Sequence, residues 1–494
     1  MEYGQLFCED LPTQPVCEKG IILVSGATGY IGGRLVPELL ARGYRVRILA
    51  RAYSPELMER WPEAELFVGD ALDKESLLPV MKGVYAAYYL IHSMLLGSKK
   101  FVSADIEAAR NFREAAAEMG VERIIYLGGL GDVRSKLSAH LRSRSQVGEE
   151  LAVGPVPATV LRAAVIIGSG SASYEILKHL VKKFPVILSP KWARTRCQPI
   201  AIRDVIKYLV GALESEATKG KFYDIGGREI LDYQRMMKTI AELLGKKRWF
   251  FPVPVSATRF FSYSLSFFTP VPARITMCLM GGCENEVVCQ NRDIVSILPI
   301  SQLAFREAVI RAMTREEQDR IHTRWSDAYP PAYELAMKLS DLKSPPEYTT
   351  HYAIDTEKDK IALFEEVCRI GGKRGWFNSN FLWKMRGILD RILMGVGTSR
   401  GRRSNNSLRV NDVIDFWRVE AMEQGKMLLL RAEMKLPGKA WLRFNIEEKE
   451  NKNSLSVSAF FSTKSIWGRL YWYNFLPFHH FIFLDLLHQI EKRS

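Results

Sequence analysis

The sequence predicts an α/β fold with a doubly wound parallel sheet, followed by a smaller α+β part whose antiparallel sheet closes on a long carboxyl-terminal helix. Three observations carry this. A short apolar run enters a Gly-x-x-Gly-x-x-Gly turn at residues 21–32. Strand-like and helix-like segments then alternate as far as residue 227. Beyond a proline-marked stretch between Trp325 and Pro346, the pattern changes to aromatic strands and one long apolar helix.

The first strand is Ile21 to Val24, β-branched and apolar throughout, as a strand buried on both faces of a parallel sheet must be. Helix-like sequence from Gly33 to Arg42 follows the turn at once. A diphosphate needs backbone N–H groups aimed at it and no side chain in the way. Glycines at 26, 29 and 32 meet that need, allowing the tight turn, the approach of phosphate and close helix–strand packing. Gly26, Thr28, Gly29, Tyr30, Ile31 and Gly32 are therefore candidate cofactor contacts. A purely structural turn is the alternative.

Tyr44 to Ala50 reads as the second strand and ends at Arg51. An acidic residue there would hold the ribose 2′-hydroxyl of NAD, yet the next one is Glu56. Arg51 offers a cationic fork suited to a 2′-phosphate, which favours NADP over NAD; a solvated loop arginine is the other reading. Further strands are expected at 66–68, closing on Gly69-Asp70, then at 85–91, 123–127 and 158–167, with a helix over 104–119 stopped by Gly120.

Together the Ser25–Gly32 turn, Arg51, Gly69-Asp70, Tyr126 to Gly131 and Leu161 to Ser171 resemble a Rossmann-type, atypical short-chain dehydrogenase/reductase of the NmrA-like kind, over roughly residues 19–320. The resemblance implies that Asp70 contacts the adenine, and Gly128 is placed with the cofactor contacts. Orthodox members carry Tyr-x-x-x-Lys between strands five and six. This chain departs from that pattern, with Gly128-Gly129 ending strand five and His140-Leu141-Arg142-Ser143-Arg144 on the next helix. His140 and Arg144 lie four apart and share a helix face. A histidine can move a proton near neutral pH and an arginine can fix a ribose or phosphate oxygen, so both are catalytic candidates; a solvated polar face is the competing reading. Tyr174 and Lys178 match the spacing of the missing pair but follow strand six, out of chain order. The neighbouring Gly168-Ser169-Gly170-Ser171 turn sits at a strand's carboxyl end, where such sheets build ligand crevices.

With 494 residues, 47% of them hydrophobic and 25% charged, the chain has material for two or three globular domains. Seven cysteines without a Cys-x-x-Cys suggest neither zinc nor a disulfide framework, and no signal pattern opens the sequence; a cytoplasmic location is the expectation. A net charge of +14 raises the question of anionic partners. Arg400-Gly401-Arg402-Arg403 is the densest basic cluster, read as a solvated loop, with anion or lipid-headgroup contact second. It comes with no nucleic-acid-binding module, so nucleic acid is not an expected partner.

Residues 248–280, dense in aromatics and prolines, resemble the substrate-side lobe of extended family members. They suggest a pocket wall, or equally buried core. The expected layout is a tail over 1–18, a dinucleotide-binding domain over 19–325, a linker over 326–346 bracketed by proline pairs, and a second domain over 347–494. Six of the ten tryptophans fall after residue 375. Strands are expected at 415–419, 427–434, 441–446 and 455–461, with a final helix from about Ile466: a helix-grip arrangement. Through Gly371 to Trp376, Leu382 to Gly387, Asp415 to Val419, Arg431 to Trp441 and Gly468 to Tyr473, this half resembles a bacterial domain of unknown function placed with START/polyketide-cyclase-like folds. Related folds hold hydrophobic ligands, which the resemblance implies here. Arg418, Glu433 and Arg443 fit a polar headgroup site, an internal ion pair or solvent-facing positions on alternating strands. The final helix, with His479-His480, is too interrupted to span a bilayer; it suits packing on the sheet or resting on a membrane surface. Adjacent helical histidines diverge by about 100°, poor geometry for sharing a metal.

The expected function is NADP-dependent oxidoreduction of a hydrophobic or carbonyl-bearing small molecule. The alternative is a redox-inactive NADP-binding sensor whose ligand sits in the second domain.

Overall fold

A computed structural model describes residues 6–51, 53, 55–92, 100–131, 137–254, 258–317, 323–328, 337–372, 374–404, 407–449 and 452–494. The proline pair at 330–331 and much of the expected linker lie outside them. The chain divides into two compact units: residues 1–265 with 274–329, and residues 266–273 with 330–494.

The first unit is built on seven strands: β1 (Ile21–Ser25), β2 (Val46–Ala50), β3 (Glu65–Val68), β4 (Val84–Tyr89), β5 (Arg123–Gly129), β6 (Ala158–Ala163) and, after four short strands, β11 (Phe222–Ile225). The short strands are β7 (Ile166–Ile167), β8 (Val186–Pro190), β9 (Arg196–Cys197) and β10 (Ile200–Ala201). Sheet order is β11-β6-β5-β4-β1-β2-β3, every pairing parallel. Strand order therefore reverses between β1 and β4, and the crevice at that switch point is where open sheets of this kind take ligands.

Both faces are covered, as apolar parallel strands require. Helices α1 (Gly32–Ala41), α2 (Pro55–Arg60), α3 (Lys74–Met81), α4 (Lys100–Glu118), α5 (Ala139–Ala152), α6 (Ala172–Lys183) and α7 (Ile202–Glu214) alternate with the strands. One core joins Ile22 and Val24 to Leu35 of α1 and Val205 and Leu209 of α7. The other joins Leu23 and Ala87 to Leu77 of α3, Phe112 of α4 and Val147 of α5. Helix α8 (Tyr233–Leu243) follows the short β12 (Leu231–Asp232). Then come β13 (Trp249–Val253), α9 (Thr258–Phe268), α10 (Ala273–Gly282), α11 (Ile294–Ile297) and α12 (Phe305–Glu317).

Two departures from the sequence reading bear on the site. β5 runs two residues further, taking in both glycines. The single strand expected over 158–167 is split, because the chain leaves the sheet after Ala163 so that Ala164 and Val165 wall a cavity, and Ile166–Ile167 pairs with β10 instead.

In the second unit β14 (Tyr348–Thr356), which the sequence reading missed, joins β15 (Val413–Ile414), β16 (Trp417–Glu423), β17 (Met427–Ala432), β18 (Lys439–Lys449) and β19 (Lys452–Ser462). They form an antiparallel sheet in the order β14-β19-β18-β17-β16-β15. Helices α13 (Lys360–Cys368), α14 (Asn380–Ile392) and the 28-residue α15 (Ile466–Arg493) accompany it. Trp472, Phe483, Leu486, Leu487 and Ile490 of α15 are buried.

The basic cluster is not a solvated loop. Arg400 is buried and its Nη1 lies 2.6 Å from Glu433 Oε2; Arg403 pairs with Asp412 at 2.8 Å, and Arg402 donates to the Ile370 carbonyl. Arg418 approaches the other Glu433 oxygen at 2.5 Å, so Arg418 and Glu433 form an internal ion pair. Arg443 stands apart, over the Phe460 ring. Burial pushes the Glu433 carboxyl up, but Arg418 and Arg400 outweigh it and hold it below the usual range.

Glu433→Gln is expected to destabilise the protein by about 3–5 kcal/mol in urea unfolding, because two buried guanidiniums lose their counter-charge. The ion-paired carboxylate contributes its full stabilisation above the ordinary glutamate range. That contribution is lost as pH falls through its depressed native pKa, so the wild-type advantage over the variant should shrink on acidification.

Candidate active site

The turn after β1 is shaped by missing side chains. Gly26 has φ +72°, and a Cβ there would come 2.6 Å from the Leu90 carbonyl oxygen at the end of β4. A Cβ at Gly32 would strike the Gly26 carbonyl. Gly29 N–H donates to that same carbonyl at 2.9 Å, and Gly33 N–H to Gly29 O at 3.0 Å, so the turn winds directly into α1. Thr28, Gly29, Tyr30 and Ile31 are partly exposed along it. Tyr30 packs against Gly168, and Arg34 of α1, its guanidinium 4.2 Å from the Tyr30 ring, donates to the Ser169 carbonyl at 2.9 Å. The two glycine turns are thereby tied together.

Arg51 and Asp70 meet at the ends of neighbouring strands. β2 and β3 pair through Ala50 and Val68, and Gly69 N–H donates to the Ala50 carbonyl. Both residues are exposed. Asp70 Oδ1 accepts from Leu72 N–H at 3.0 Å, and Asp70 N–H donates to Ser76 Oγ at 2.9 Å, fixing the loop. A backbone cradle that any Cβ would fill, beside an arginine and an aspartate at the next two strand ends, fits a dinucleotide.

Across the switch point, a cavity of about 120 Å³ opens at the carboxyl ends of β5 and β6. Its walls include Gly129, Leu130, His140, Ala163, Trp192 and Tyr233, with Met280 and Cys283 from the 274–329 segment. Gly129 rather than Gly128 faces it; Gly128 is buried beside the Tyr126 ring.

His140 stands at the end of a relay. Its Nδ1 lies 3.3 Å from His92 Nε2, and His92 Nδ1 lies 3.1 Å from Asp105 Oδ2, an oxygen that also accepts from Ser143 Oγ at 3.3 Å. Burial pulls the pKa of His140 well below that of a free imidazole, with His92 and Arg144 adding to the effect. Burial and Arg144 lower His92 too, against the opposing pull of Asp105. With Asp105 a carboxylate and both rings neutral, proton counting gives one arrangement. His92 Nδ1–H donates to Asp105, His140 Nδ1–H donates to His92, and His140 Nε2 is left as an acceptor. Arg144 is placed otherwise: its guanidinium donates to the Leu127 carbonyl and lies 4.9 Å from the Tyr126 ring centre, and it is absent from the cavity wall.

Residues 18–259 match the NmrA-like family, and residues 344–485 match a family described as a protein of unknown function, DUF2867. Residues 18–259 are an NmrA-like domain. Cinnamoyl-CoA reductase 1 of Oryza sativa subsp. japonica is 35% identical over 123 residues, 24% of this chain and 36% of that protein. Divinyl chlorophyllide a 8-vinyl-reductase of Zea mays is 26% identical over 251 residues, 47% of this chain and 62% of that one. The chain thus spans less than two thirds of these curated relatives. Among solved structures, Citrobacter sp. triphenylmethane reductase complexed with NADP(H) aligns with a TM-score of 0.49 at 20% identity, over 59% of this chain and 99% of that one.

In the NmrA-like domain Tyr174 is fully buried and turned from the cavity, which its neighbours Ser173, Ile176 and Leu177 line. Lys178 is engaged by Glu175 at 2.9 Å. Sequence reasoning missed His92, Asp105 and Tyr233. A signal existed for the first: His92 follows β4 at its carboxyl end, where open α/β sheets take their ligands. Asp105 sits in mid-helix with nothing local to mark it.

Gly26→Ala is expected to weaken dinucleotide binding at least tenfold in a fluorescence titration, since the new methyl meets the Leu90 carbonyl in a backbone region that disfavours side chains.

Proposed function

We infer that the NmrA-like domain is a nicotinamide-dinucleotide-dependent oxidoreductase that prefers NADP to NAD and acts on the carbonyl or alcohol of a small hydrophobic molecule. The observation that carries this reading is the Asp105–His92–His140 relay ending on an apolar cavity at the carboxyl ends of β5 and β6, across from the switch point. The glycine turn would hold the diphosphate, Arg51 a 2′-phosphate, and Asp70 the adenosine end. When bound, the nicotinamide supplies or accepts the hydride.

The chain's own residues handle the proton. In the oxidative direction His140 Nε2 takes it from the substrate hydroxyl, and the charge this creates is stabilised along the relay, His140 Nδ1–H to His92 and His92 Nδ1–H to Asp105. In the reductive direction the same nitrogen returns it. The apolar wall keeps water from competing and receives the substrate's hydrocarbon. Arg144, bound to Leu127, acts on the site only through its charge, which helps keep the imidazoles neutral. The two curated relatives named as reductases agree with the reaction class.

Three outcomes are expected. His140→Ala should lower kcat/KM by about 10²–10⁴-fold with NADPH affinity unchanged, measured on the carbonyl compound that best supports NADPH oxidation. If that variant turns over like wild type, His140 is not the proton carrier; if no compound in a broad carbonyl panel oxidises NADPH, the protein is not this enzyme. Arg51→Ala should reduce the preference for NADPH over NADH by about tenfold in paired titrations. Because burial depresses the His140 pKa, the base is competent well below pH 6.5. The acid limb of kcat/KM for alcohol oxidation should therefore fall below the range of a free imidazole and vanish in His140→Ala.

A further inference from the structure

Helix α14 is inside out. Its buried residues include Asp390 and Arg391, while Phe381, Met385, Ile388, Leu389 and Ile392, spaced three and four apart, line its outward side. Met385, Ile388 and Ile392 are 59%, 56% and 54% exposed. The polar pair is anchored inward. Asp390 accepts from Gly397 N–H and Lys435 N–H at 2.7 Å each, and Arg391 donates to the carbonyls of Thr269, Pro270 and Val271. The rotation of this helix is therefore fixed by buried polar bonds that hold its apolar stripe towards solvent.

The first half of α15 repeats the pattern. Trp472 and Gly468 face the sheet, while Trp467, Leu470, Tyr473, Phe478 and Phe481 face out, Trp467 and Phe481 at 71% and 73% exposure. A helix apolar on both sides is at home in a core or against a membrane. The exposed charges on these stretches are both basic: Lys384 on α14, and Arg469 as the sole formal charge between Ile466 and Leu484. Arg386 turns inward, its guanidinium donating to the Lys435 carbonyl at 2.6 Å. Asp390, the one acid in either stretch, is fully buried. Among the described residues no helix is long and apolar enough to cross a membrane.

We propose that the second unit docks on an anionic phospholipid surface through the outward faces of α14 and the first half of α15. Aromatic and aliphatic side chains enter the headgroup boundary, and Lys384 and Arg469 meet the lipid phosphates. Charge decides the occupant: an exposed apolar stripe suits many partners, but one bordered by cations with no exposed acid matches a negative sheet of headgroups.

Vesicle flotation of the full chain tests this, using phosphatidylcholine alone and phosphatidylcholine mixed with phosphatidylglycerol. The protein is expected to float with the mixed vesicles, less so with the neutral ones, and less so as salt is raised. Met385→Glu/Ile388→Glu should cut binding about tenfold or more, as should Trp467→Glu on the other helix, while Ile310→Glu on the exposed side of α12 leaves it unchanged. These positions are exposed, so near-ultraviolet circular dichroism should match wild type, and NADPH affinity should be the same in every variant. Three results would overturn the proposal: wild type failing to float with either vesicle, both helix variants floating like wild type, or light scattering revealing a dimer that Met385→Glu/Ile388→Glu splits without any lipid binding by wild type.

Discussion

The close approach of two backbones, Gly26 against the Leu90 carbonyl, is the constraint on which the rest of the site depends. It allows the turn after β1 to sit against the end of β4, at the point where strand order reverses. Two residues beyond Leu90 the chain places His92, half-buried between Asp105 and His140. The contact that shapes the glycine turn therefore also sets where the Asp105–His92–His140 chain begins. Tyr30 and Arg34, from the same turn and helix, then bind the 168–171 turn, so one short sequence organises both sides of the crevice.

Burial gives the relay its chemical character. Two imidazoles in contact, next to the Arg144 guanidinium, cannot readily hold a charge in an apolar wall. A neutral pair with its terminal nitrogen unprotonated is the state that results. This differs from a tyrosine–lysine pair, in which a nearby cation favours the phenolate. Here the arginine acts in the opposite sense, keeping charge off both imidazoles, while Asp105 pulls the other way.

The architecture of the first unit was legible because its strands are apolar runs bounded by glycine, and the glycine turn needs only local sequence to be recognised. His140 was legible through its spacing from Arg144, although the two residues take different roles once a carbonyl claims the guanidinium. His92 and Asp105 were not, because their pairing joins a strand end to a distant helix and leaves no periodic trace. In the second unit, the charged residues of the 400–403 cluster looked like a loop. Their partners Glu433 and Asp412 lie in separate elements, and only the folded sheet brings acid and base together. β14 escaped notice because its partner strand, β19, follows it by about a hundred residues and its own alternation, Tyr348 to Thr356, is largely polar.

Arg391 has one more consequence. Its guanidinium is satisfied by carbonyls at 269–271, in a strip that precedes the rest of its unit by some sixty residues and interrupts the first unit. The second unit is therefore discontinuous in the gene, although its family match, 344–485, is continuous. A recombination event that carried only the matched span would leave a buried cation without its acceptors. A fragment of eight residues written inside one unit thus completes the hydrogen bonding of the other.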